Sequence, residues 1–61
     1  MAPDETILTI KDVAILLKLP VSWVYDRLRG SAKDRLPGHK LGKYWRFRQG
    51  EILAWFEARK V

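Results

Sequence analysis

The sequence predicts a small α+β fold, mainly helical, with three short helices and a two-stranded hairpin in one domain. Three observations predict it. Apolar residues recur at helical spacing in three separate stretches, near 10–17, 21–28 and 52–56. Alternating residues flank a Gly42-Lys43 pair between the second and third of these stretches. And the chain has 61 residues and no cysteine, so a single core must hold it without disulfides or thiolate metal sites. A chain this short buries only about 60% of its unfolded surface.

Each element follows in order. Met1 to Thr6 is polar and expected to fray, which leaves an ordered part of about 7–59. Thr9 and Asp12 have the spacing of a capping box, in which the hydroxyl accepts one orphan N–H and the carboxylate reaches back to another. The first helix is predicted from Ile10 to about Leu17, with Ile10, Val13, Ala14 and Leu17 on its apolar face and Leu8 stapled onto its first turn. Lys18 and Leu19 leave a turn of two or three residues.

Pro20 then starts the second helix, since its missing N–H is an orphan in the first turn anyway. Val21, Val24 and Leu28 share the inner face. Ser22, Asp26 and Arg29 fall opposite, with Trp23 beside them and Tyr25 and Arg27 flanking the stripe. Gly30 is placed to end the helix. Residues 31–35 read as a polar connector, anchored by Leu36 and turned by Pro37-Gly38.

The hairpin is predicted over His39–Phe47, with Gly42 supplying the positive φ of a tight turn. Leu41, Trp45 and Phe47 are expected inward, and Lys40, Tyr44 and Arg46 outward. The last helix runs from about Gln49 to Arg59. Ile52, Trp55 and Phe56 form its buried face, and Leu53 lies just off it. Glu51 in its first turn and Arg59 and Lys60 in its last suit the helix dipole, and Arg48 is a candidate for a structural role at its start.

Charge points to a partner. The net charge is +5. Residues 27–48 hold eight Lys or Arg and one acid, whereas the remainder is slightly acidic. A cationic block interleaved with Trp and Tyr is the footprint of a polyanion site. Two short helices across a tight turn make a helix-turn-helix. With a basic hairpin and a third helix after it, the order is that of a small winged helix-turn-helix. The second helix, about 13 Å long for nine residues, fits a major groove about 12 Å wide.

The chain also resembles the excisionase-type DNA-binding domains, a group related to MerR-like winged-helix proteins. The resembling residues are Leu8-Thr9-Ile10-Lys11-Asp12-Val13-Ala14, Leu16-Leu17, Val24-Tyr25, Leu36-Pro37, Lys40-Leu41-Gly42, Trp45-Arg46-Phe47-Arg48 and Ala54-Trp55. They span roughly residues 8 to 56. There are two departures. Pro20 stands where the family usually carries a polar capping residue, and the connector from Gly30 to Arg35 is a few residues longer than usual.

The resemblance implies sequence-specific binding of duplex DNA, with the second helix in the major groove and the wing on the backbone or minor groove. It implies a role in setting recombination direction in a mobile element, beside an integrase or further copies of the chain, or in transcription regulation. The side-chain chemistry agrees. Ser22, Trp23, Asp26 and Arg29 are the expected base contacts; Asp26 can accept from cytosine N4 but would repel a phosphate. Tyr25 is expected to turn its hydroxyl to a phosphate, and Lys40, Lys43 and Arg46 are phosphate or minor-groove candidates. Arg27 and Tyr44 complete the expected set.

An RNA or single-strand reading, with Trp23 and Tyr44 as stacking platforms, is the alternative. A protein-interaction adaptor anchored on exposed aromatics is another. An enzyme is not expected: His39 is the single histidine, and no pattern sets a nucleophile beside a base. Neither a metal site nor a cofactor is expected. The N-terminus lacks the basic and apolar regions of a secretory leader, and no apolar run approaches the ~18 residues of a membrane span. A cytoplasmic chain, monomeric in solution, is the expectation.

Overall fold

A computed structural model of the chain describes residues 6–29 and 35–59. The elements are β1 (Ile7–Leu8), α1 (Ile10–Leu17), α2 (Val21–Leu28), β2 (His39–Leu41), β3 (Tyr44–Arg48) and α3 (Gln49–Glu57). Thr6, expected to fray, is instead tied down, its carbonyl accepting from the Gln49 N–H at 3.0 Å. The fraying expected of residues 1–5, the Gly30 helix stop, connector residues 31–34 and the Lys60 dipole contact lie outside the described residues.

The capping box forms as its spacing requires. Thr9 Oγ1 accepts from the Asp12 N–H at 3.1 Å, and Asp12 Oδ2 accepts from the Thr9 N–H at 3.0 Å. The Thr9 backbone N–H first, and then hydrogen bonding by the Thr9 hydroxyl to the carboxylate, hold the Asp12 carboxyl below its ordinary 3.8; Arg46 and Lys11 add to the effect. At the other end Lys18 adopts φ 58 and ψ 46. The Leu19 N–H donates to Ala14 O at 2.9 Å and the Lys18 N–H to Ile15 O at 3.2 Å, which is a Schellman end with lysine in the glycine position.

Pro20 stands one position earlier than expected. It is the N-cap of α2, with φ −65 and ψ 150, and no side chain caps the helix. Its carbonyl still accepts from Trp23 N–H at 3.0 Å. Leu36 returns to the C-terminal end of α2, its N–H donating to Arg27 O at 3.4 Å. Arg48 occupies the N-cap of α3 but makes no side-chain hydrogen bond there, so the structural role considered for it is not that of a cap.

The sheet has three strands, not two. β3 is central; β1 pairs with it antiparallel through Ile7↔Arg48 and Leu8↔Phe47, and β2 through His39↔Arg46, Lys40↔Trp45 and Leu41↔Tyr44. A strand of two residues has no period to read, which is why β1 is invisible in the sequence. It supplies the support an isolated hairpin lacks.

The core consists of Leu8, Val13, Ala14, Val24, Leu28, Leu36, Phe47 and Ile52. Ile10, Leu17, Trp45 and Trp55 pack against it partly buried. Three expected core residues are instead exposed. Leu41 is 61% exposed because the two-residue turn sets it opposite Tyr44, and residues directly paired across strands share a face. Leu41 therefore joins Tyr44 and Arg46 on the outer face. Lys40, expected outward, falls on the Trp45 side, its Nζ 5.9 Å from that ring. Val21 stands at the first position of α2, where the buried stripe has run out. Phe56 is 54% exposed; it lies in the last turn of α3, beyond the buried Ile52. Gly38 lets the chain lie against the rings below, since a Cβ there would come within 2.7 Å of Phe47.

Candidate nucleic-acid interface

α2 presents the expected polar face. Ser22, Asp26 and Arg29 are exposed, and Arg29 Nη2 donates to Asp26 Oδ1 at 3.1 Å. Arg29 is itself the C-cap, in extended geometry. Tyr25, 48% exposed, flanks this face on the side of the wing. There a cleft of about 210 Å³ runs between the helices and the hairpin, and Tyr25, Lys11, Lys43, Tyr44 and Arg46 are among the residues lining it.

The wing side of the cleft is cationic. Lys43 Nζ and the Arg46 guanidinium each lie 5.6 Å from the centroid of the Tyr44 ring, within cation–π range. Arg46 is fixed further by Nη1 donating to Trp45 O at 2.7 Å. Gly42, at φ +66, makes the turn that sets Lys43 at the tip. His39 is exposed on β2 and hydrogen-bonds Glu51 Oε1 of α3 through Nε2 at 3.1 Å, which ties the base of the wing to the third helix.

The fold thus brings Tyr25 of α2 together with Lys43, Tyr44 and Arg46 of the wing across one cleft, while Ser22, Asp26 and the C-cap Arg29 lie exposed on the neighbouring polar face and do not line it. It sets three of the expected residues apart. Lys40 lies against Trp45, on the other face of the hairpin. Trp23 is half-buried, edge-on to Trp55 at 72° with centroids 6.3 Å apart, and the Arg27 guanidinium lies 5.0 Å from its centroid. Trp23 and Arg27 both line a groove toward α3 rather than the wing cleft. The cleft also contains Lys11, a residue outside the expected set. Its charge lies outside the basic block, and only the packing of α1 beside the wing brings it in.

Among the described residues no three His, Asp or Glu gather where they could hold a metal ion, and no helix is long and apolar enough to cross a membrane. Two helices joined by a tight turn, followed by a basic hairpin beside the second, define a small winged helix-turn-helix, a DNA-binding class. The chain belongs to the helix-turn-helix domain family, which matches residues 7–60. No curated protein and no solved structure matches it.

Proposed function

We propose that the chain binds duplex DNA sequence-specifically, with α2 in the major groove and the β2–β3 wing along the backbone or minor groove. The observation that carries this reading is that Tyr25, which flanks the exposed polar face of α2, faces the cationic wing across one cleft. Groove edges are read by hydrogen bonds, whereas phosphates are held by cations. Ser22, Asp26 and Arg29 take the base edges; Tyr25, Lys43, Tyr44, Arg46 and Lys11 take the backbone beside them. Lys40, on the Trp45 face of the hairpin, is a further phosphate candidate.

The finer reading is an excisionase-type protein that bends or marks DNA for recombination alongside an integrase or further copies of itself, or a small transcription regulator built on the same domain. Either is a binding role rather than catalysis, and either suits a cytoplasmic monomer. The single-strand alternative loses support at Trp23, whose ring is already packed on Trp55 and covered by Arg27.

The test is an NMR titration of the labelled chain with random-sequence duplex and with single strands, at two salt concentrations. Shifts in residues 20–29 and 39–46 that are stronger for duplex and weakened by salt are expected. Shifts with single strands alone would overturn the duplex reading, and no shifts at low salt would overturn polyanion binding altogether.

A further inference from the structure

Asp26 is the one acid on α2, and it stands on the exposed face that the duplex reading sends into the major groove. A carboxylate there is repelled by the phosphates of any duplex, so it favours only a site that offers it a hydrogen-bond donor. Arg29 returns to it twice. The Arg29 N–H donates to Asp26 O at 3.4 Å, and Arg29 Nη2 donates to Asp26 Oδ1 at 3.1 Å. Arg29 is the C-cap residue, in extended geometry, so these bonds fold its side chain back toward the polar face beside Asp26. Both side chains stay open to solvent, at 77% and 67%.

The pair shows a particular row of donors and acceptors. A guanidinium has two edges that each carry two parallel N–H groups, and Nη2 belongs to both. One Nη2 N–H is given to Asp26; whichever it is, the other edge keeps both of its donors. Asp26 keeps Oδ2, which accepts from no described residue. Side by side, the two residues therefore offer two donors and one acceptor. In the major groove a G·C pair presents two acceptors, guanine N7 and O6, and then one donor, the cytosine N4 amino group. The two rows are complementary. An A·T pair presents acceptor, donor, acceptor and a methyl group. There the guanidinium edge would meet the adenine amino group, and the carboxylate would meet thymine O4. A phosphate suits Arg29 less than a base edge, because the carboxylate beside it offsets its charge and repels the anion.

We infer that Asp26 and Arg29 read one G·C base pair as a unit, Arg29 on guanine N7 and O6 and Asp26 on the N4 amino group of the paired cytosine. This rests on the placement of α2 in the major groove and adds the base pair that α2 selects there. Asp26 has two tasks. It contacts cytosine, and in the free protein it keeps the guanidinium on the groove face, which lessens the side-chain ordering left for binding. At an A·T pair the same carboxylate has no donor, so it rejects as well as selects.

The experiment selects duplexes from a random library with the full chain, then measures the selected site by competition anisotropy. One position should emerge as G·C, favoured roughly tenfold or more over A·T. Arg29→Ala and Asp26→Ala should each reduce that preference, at the same base pair and at no other. Two base analogues separate the atoms. A guanine whose N7 is replaced by C–H should weaken the native chain but not Arg29→Ala. A cytosine methylated on N4, with the methyl in place of the groove-facing N–H, should weaken the native chain but not Asp26→Ala. The analogues act on the native chain, so the test survives a variant that folds poorly. Selection that enriches no G·C pair, variant losses at two different base pairs, or indifference of the native chain to either analogue would overturn the proposal and leave duplex binding in place. Absence of any duplex binding would overturn it together with the reading it rests on.

Discussion

Arg29 and Asp26 hold each other at 3.1 Å in the free protein, with side chains 77% and 67% exposed. An exposed pair of this kind contributes only about 0–1 kcal/mol, so Arg29 can leave it for a base at little cost. Until then the pair keeps the guanidinium beside the helix end rather than free in solvent. Arg29→Ala is expected to cost ~1–3 kcal/mol on the preferred site and to relax discrimination at one base position. Competition anisotropy against single-base variants of a selected site measures both. Lys43, at the wing tip, should behave differently. Lys43→Ala should weaken every duplex alike and lower the salt slope by about one, read from binding at several salt concentrations. Identical, sequence-blind losses in the two variants would take α2 out of the groove.

Among the elements, α1 has two ends that make opposite predictions. Thr9→Ala removes the hydroxyl of the capping box and should cost about 1 kcal/mol, seen as a lower urea midpoint. The carboxylate of that box is the acid-sensitive part. Asp12 is held below 3.8 in the folded chain, so its contribution is present above 3.8 and is lost as pH falls through the lower folded value. The stability gap between the native chain and Asp12→Asn should therefore narrow on acidification from pH 7, and a gap that stayed constant to pH 2 would contradict the linkage. At the C-terminal end, Lys18 sits at φ 58, where a Cβ costs roughly 1–2 kcal/mol. Lys18→Gly removes that strain but loosens the unfolded chain. The net expectation is stabilisation by roughly 0.5–1 kcal/mol, measured by thermal unfolding.

For the whole molecule, one fully buried ring decides a great deal. Phe47 joins β1, the wing and the helices, with no exposed surface. Truncation of such a ring costs ~3–5 kcal/mol. A domain of this length has only about 3–9 kcal/mol in total at the usual stability per residue. Phe47→Ala is expected to populate the unfolded state heavily at 25 °C, visible as collapse of amide dispersion. The wing would be lost with the core, since β3 is both the centre of the sheet and the strand that bears Arg46. The outer charge makes the other prediction at this scale. Sedimentation at micromolar concentration should give a monomer, and an obligate dimer would refute it.

Periodicity and local chemistry were sufficient for the helices, the tight turn, the capping box and the Gly42 hairpin, because these depend on residues within one or two turns of each other. The polar face of α2 was legible for the same reason. What needed the tertiary structure were contacts between distant parts of the chain. The third strand exists because Leu8 finds Phe47, and two residues carry no pattern of their own. Leu41 is outside because pairing with Tyr44, not alternation along its own strand, fixes its face. Lys11 lines the cleft because α1 packs beside the wing, and Trp23 turns from the polar face to Trp55 because α3 offers an aromatic partner. Sequence determined which segments form; packing determined which of their faces meet, since burial acts between elements and not along them.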